Sequence, residues 1–143
     1  MKASSVWMAA TAAVLMSLSA QEAVGAGKNE ALDAALQVSR EANAKWTDCL
    51  QTNLRRFEES GEAVETVVTA TFGACGQHEG PVKDSYVPVY GLAHLSGTRT
   101  VTAAYADARQ GAQEMFDARR QFLRERLISS ALEIRMQKKS ERQ

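Results

Sequence analysis

Residues that carry chemistry are scarce in this 143-residue chain: cysteine, histidine, proline and tryptophan occur twice each, and aromatics make up 6%. The only cysteines, Cys49 and Cys75, are too far apart for a Cys-x-x-Cys redox site or a paired zinc knuckle. The nine glycines form neither of the usual phosphate-cradling loops. No serine or threonine lies in a recognisable nucleophile turn. A triad drawn from His78 or His94 with Asp84 or Ser96 would rest on sequence proximity alone. The carboxylates of Glu58-Glu59-Ser60-Gly61-Glu62 and Glu65 gather at a turn instead of opposing one another across a cleft, so they read as capping and solubility residues. No catalytic residue emerges, and the expectation is a protein that is not an enzyme and needs no cofactor.

A long hydrophobic run is also missing. The stretch from Val6 to Leu18 falls short of the roughly 20 residues that span a bilayer. Lys2 precedes it, and Val24-Gly25-Ala26 follows with a small-x-small pattern. This pattern is that of a secretory signal peptide over residues 1–26, with Ala20 as a second cleavage candidate, ahead of a single domain at 27–143. Export implies a periplasmic or secreted protein, where two cysteines favour a disulfide.

Charge is balanced overall but not along the chain. Residues 27–118 hold 8 Lys+Arg against 13 Asp+Glu, a net of −5, whereas residues 119–143 hold 8 against 3, a net of +5. Such a split suits a solvated helix end, self-association or an anionic partner. Export and the acidic body disfavour nucleic acid.

What the sequence does have is helical periodicity. From about Asn29 to Glu59, the residues Leu32, Ala35, Ser39, Ala42, Trp46, Cys49, Asn53 and Phe57 recur at steps of three and four, defining one face. Trp46 lies one turn before Cys49 and is expected to pack on the disulfide. A second pattern, Glu62 to Cys75, puts Val64, Val67, Val68, Thr71 and Cys75 on one stripe, with Ser60 as a candidate cap and Gly61 suited to ending the first helix. At about 1.5 Å of rise per residue, the two cysteines lie at nearly equal distances from the Glu58–Glu62 turn. An antiparallel hairpin over 29–75 therefore brings their sulfurs level, as a Cys49–Cys75 bridge requires.

The combination of Trp46-x-x-Cys49, an acidic turn, and small-residue spacing ending in Ala74-Cys75 resembles a loose group of small, uncharacterised exported bacterial helical proteins. The resemblance covers about thirty residues. It implies a disulfide-closed helical hairpin in the cell envelope, and brings no activity or site residues with it.

Residues 76–97 interrupt the helical texture. They contain four glycines, both prolines and both histidines, and are expected to form an irregular bridge. Tyr86, Val87, Pro88, Val89 and Tyr90 are too apolar for plain disorder, so this segment is a candidate contact surface through Tyr86, Pro88, Tyr90 and His94. A metal or small-ligand carrier is the alternative, with His78 and His94 as weak ligand candidates helped by Glu79 and Asp84, but their spacing matches no ligand motif.

The last pattern, 98–139, is the longest. Val101, Tyr105, Ala108, Ala112, Phe116, Leu123, Leu127, Ala131 and Ile134 form one stripe, interrupted by Arg119, with Met115 and Phe122 flanking it. A helix of this span is about 60 Å long against roughly 20 Å for the second helix, so it should overhang the hairpin. The overhang, with Phe122, Leu123, Leu127 and Ile134, is a candidate coiled-coil-like contact with a second copy or an envelope protein. Its basic residues leave contact with an anionic membrane surface as a lesser reading. The whole is expected to be all-α: a disulfide-closed hairpin, an irregular bridge and a long C-terminal helix, acting as a non-enzymatic binding or scaffolding module.

Overall fold

A computed structural model describes residues 9–94 and 100–142, with side chains from residue 27 onward. Leu95, Ser96, Gly97 and Thr98, at the end of the expected bridge and the start of the expected last helix, lie outside the described residues. So do the side chains of the proposed signal segment. Among the described residues the chain is all-α, with no strand: α1 spans Ala9–Phe57, α2 Val64–Ala74, α3 Glu79–His94 and α4 Val101–Ser140.

The helices are arranged as three rods. Asn43 of α1 meets Arg119 of α4, and Glu58, just past α1, meets Arg135 of α4, so α1 and α4 run parallel at a constant offset. The rod between them is antiparallel to both and is broken in two, α2 followed by α3. The break falls at Cys75, whose backbone leaves helical values (φ −103°, ψ 8°), and a single 3₁₀ turn, Gly76–His78, starts the chain on α3.

The bridge expected to be irregular is thus mostly helix. Val82, Ser85, Tyr86 and Val89 follow a helical period and are buried, which supplies the packing energy that holds α3 in place. The two prolines are placed where they do least harm. Pro81 lies in the first turn, where its missing N–H has no intrahelical partner to lose, and Pro88 is on the exposed face, where water can satisfy the carbonyl it frees. With α3 in place, most of the α4 stripe is covered, while its first two residues, Val101 and Tyr105, stay exposed. Its stripe residues Ala108, Ala112, Phe116, Leu123, Leu127 and Ala131 are buried within the chain.

The core centres on Trp46, which is fully buried. Its ring stacks on Phe116 of α4 (centroids 5.5 Å, 17° between planes) and meets Phe72 of α2 edge-on at 6.0 Å. Such aromatic pairs add about 0.5–1.5 kcal/mol beyond the area they bury. Cys49 and Cys75 are disulfide-bonded with Cα atoms 5.9 Å apart, tying α1 to the point where the middle rod breaks. Asn53 donates to the Cys49 carbonyl at 3.0 Å and lies 3.5 Å from both sulfurs.

The caps divide in the same way. Gly61 takes a left-handed conformation (φ 72°) after the short 3₁₀ turn Glu58–Ser60, in keeping with its expected role in ending the first helical run. Thr100 caps α4, its Oγ1 accepting from the Ala103 N–H at 3.3 Å. Ser60 does not cap α2. Its hydroxyl donates to the Phe57 carbonyl and accepts from the Glu62 N–H, and the residue preceding α2 is Ala63, with no side-chain bond.

Candidate interaction groove

Two polar links between α1 and α4 fix what lies between the parallel rods. Midway along, the Asn43 side-chain oxygen accepts from Tyr86 Oη of α3 at 3.0 Å and from Arg119 Nε of α4 at 3.2 Å, so one amide joins three helices. At the far end the Glu58 carboxylate is buried and held in a two-pronged grip by Arg135, with Nε to Oε2 at 2.9 Å and Nη2 to Oε1 at 3.0 Å. Arg135 Nη2 also donates to the Glu62 carbonyl, which ties the α1–α2 turn to the end of α4. The hydrogen bonds to the Glu58 carboxylate, with its charge, raise the pKa of the Arg135 guanidinium above its ordinary value, against the smaller effect of desolvation. Glu58 is therefore a buried structural anion, in contrast to the exposed capping role expected of it.

Between these links, α1 and α4 leave a groove of ≈ 330 Å³. Its floor is Leu50 and Leu54 from α1 with Leu123 and Leu127 from α4. Its walls include Arg55 on one side and Arg119, Phe122, Arg126 and Ile134 on the other. Phe122 is 46% exposed and lies between two guanidinium groups, Arg119 at 5.4 Å and Arg126 at 5.8 Å from its ring centre. The only acidic side chain lining the groove is Glu133. None of Arg55, Arg119 and Arg126 has a carboxylate partner among the described residues. Three uncompensated cations around an exposed aromatic ring make this the most distinctive surface of the described chain.

The residues expected to contact a partner fall into separate places. Phe122, Leu123, Leu127 and Ile134 do converge on the groove, but Leu123 and Leu127 are buried floor, leaving Phe122 and the half-buried Ile134 accessible. Tyr86 is a core residue, not a surface one, because its ring is buried and its hydroxyl is committed to Asn43. Tyr90 packs on α4 at Gly111, where any Cβ would overlap its ring, and its other neighbour is His94, with ring centres 4.7 Å apart. Pro88 and His94 are exposed on α3, away from the residues that line the groove.

The two histidines do not share a site. His78 sits just before α3 and His94 at its last residue, about 24 Å apart along the helix. No group of three or more metal-ligating side chains forms among the described residues. The basic end of α4 is also partly answered from within the chain: Arg135, Lys138, Lys139 and Arg142 line a shallow depression together with Glu58 and Glu59. Among the described residues no helix is long and apolar enough to cross a membrane.

Sequence reasoning missed both polar links, although a signal for them existed. Arg119 interrupts the α4 stripe three residues after Phe116, and Asn43 interrupts the α1 stripe three before Trp46. Glu58 and Arg135 each stand four residues beyond the last buried residue of a stripe, Leu54 and Ala131. Polar residues that break two apolar stripes at matching intervals are partners for one another.

The fold and groove define a disulfide-stapled, three-rod helical protein whose middle rod is split. No protein-family model matches the chain, and no match was found among curated proteins or solved structures.

Proposed function

We propose that this chain is a non-enzymatic binding or scaffolding module of an exported, cell-envelope protein, and that the α1–α4 groove is its contact surface. The observation that carries the reading is the set of guanidinium groups of Arg55, Arg119 and Arg126, which border an exposed Phe122 without a carboxylate partner. Leaving cations unpaired beside apolar surface costs a monomer nothing while they are hydrated, and favours association with an anionic, partly apolar partner. The groups best able to do chemistry are committed to structure instead: Glu58 to Arg135, Glu79 to Arg120, and the Tyr86 hydroxyl to Asn43. The signal-like segment before residue 27 and the disulfide support an oxidising compartment outside the cytosol.

The test is photocrosslinking in the protein's own cells with a benzophenone amino acid at position 122, and at Lys139 as a control, followed by mass spectrometry of the adducts and fractionation of the envelope. A dominant adduct dependent on position 122, in a periplasmic or secreted fraction, is expected. A chain that stays in the cytosol, or that gives the same weak adducts from both positions, overturns the reading.

A further inference from the structure

We infer that the occupant of the groove is a second copy of this chain, docked antiparallel about a two-fold axis near Phe122. The inference rests on the groove being a contact surface and adds the identity of what fills it.

The argument begins with the outer face of α1 beside the groove. Gln37, Glu41, Ala44, Asp48, Gln51 and Arg55 recur at steps of three and four and so form one stripe. All six are exposed. Glu41 accepts only from its neighbour Gln37, and neither Glu41 nor Asp48 has a cationic partner among the described residues. Lys45, four residues after Glu41 and three before Asp48, makes no ion pair with either. The chain therefore carries two anions without an ion pair on the exposed α1 stripe that runs on to Gln51 and Arg55, and three such cations lining the groove.

Their spacing is self-complementary. Glu41 and Asp48 are seven residues apart, as are Arg119 and Arg126, and each pair spans about 10 Å. The Asn43–Arg119 link puts the Arg119 guanidinium level with Asn43 and so the Arg126 guanidinium about level with Leu50, with the Phe122 ring about midway between the two. When a second copy is turned end for end, one two-fold axis serves both pairs: Arg119 faces Asp48 of the second copy and Arg126 faces Glu41 of the second copy. The same axis passes at the level of Phe122, bringing the two exposed rings together. It also sets Arg55 opposite Gln37 and within a turn of Asp33. Ala44, small and exposed, falls opposite Thr47 and lets the two α1 backbones approach. An isologous interface of this kind repeats every contact twice, so four ion pairs close around one aromatic centre. A parallel copy would instead set Arg126 two residues from Asp48 and Arg119 two residues from Glu41, so rescue of Arg126→Glu by Glu41→Lys, and not by Asp48→Lys, separates the two orientations.

The experiment is sedimentation velocity on the oxidised protein, as its cells process it, over about 1 µM to 1 mM at low and high salt. Far-UV circular dichroism verifies the fold of each variant. A dimer is expected whose dissociation constant rises at least tenfold in high salt, because exposed ion pairs are screened. Arg126→Glu and Glu41→Lys should each weaken it by tenfold or more, and the double variant should recover most of the loss, since the swapped charges meet across the axis. Lys139→Glu, away from the groove, should leave it unchanged. A protein that stays monomeric throughout overturns the inference, as does a dimer indifferent to salt and to both reversals. A monomer that binds a labelled amphipathic glutamate–leucine peptide, with loss on Arg126→Glu, would assign the groove to a foreign acidic helix. That result overturns the second copy while leaving the proposed function standing.

Discussion

Gly111 and Tyr90 show how much of this packing rests on a single missing atom. The Tyr90 ring lies so close to α4 that any Cβ at position 111 overlaps it. Gly111→Ala raises intrinsic helix propensity by about 1 kcal/mol, yet forces the ring out, at about 1–3 kcal/mol. The net effect expected is destabilisation in urea melts. In a Tyr90→Ala background the clash is gone and the same substitution should become stabilising, a change of sign that a double-mutant cycle measures directly. Arg135 supplies the other residue-scale prediction. Its pKa is raised by the Glu58 hydrogen bond, so its contribution to stability is full below the ordinary arginine value and is lost only as pH rises through the still higher folded value. Stability owed to the guanidinium should therefore be flat from pH 6 to 10. Arg135→Lys should lower the melting temperature throughout that range, because an ammonium cannot supply the fork that holds both Glu58 oxygens and the Glu62 carbonyl.

At the scale of elements, α3 is where local signals and tertiary packing disagree. Gly76, Gly80, Pro81, Pro88 and Gly91 all read as punctuation, and they outweighed the period of Val82, Ser85, Tyr86 and Val89. Tertiary burial reversed the balance by covering that face with α1 and α4. Pro88 still carries its cost, since it removes one helical hydrogen bond from an exposed position. Pro88→Ala should stabilise the protein by about 1–3 kcal/mol, read as a raised melting temperature. The rest of the architecture was legible for a physical reason. α1, α2 and α4 carry long apolar stripes at three- and four-residue steps, mostly buried and broken at Asn43 and Arg119, and two cysteines equidistant from a turn admit one pairing. The groove was half legible. Phe122 and Ile134 stand out as apolar residues near the basic segment, whereas the burial of Leu123, Leu127 and Tyr86 depends on α1 and α3 arriving from elsewhere in the sequence.

For the whole molecule, the consequential feature is the broken middle rod. Its first half, α2, is tied covalently to α1, while its second half, α3, is held only by side chains such as Tyr86 on Asn43 and Tyr90 on Gly111. Closing a loop of this size is worth about 3 kcal/mol in the chain-entropy estimate, so reduction should lower global stability by that order in urea melts. The bundle should also breathe in two stages. Amide hydrogen exchange of the oxidised protein should show α3 opening with a lower free energy than α2, in separate cooperative units. On reduction, α2 protection should fall toward that of α3. A single rod would open as one body; the kink at Cys75 acts as a fire-break, confining each local excursion of α3 so that it does not propagate into the Trp46 core.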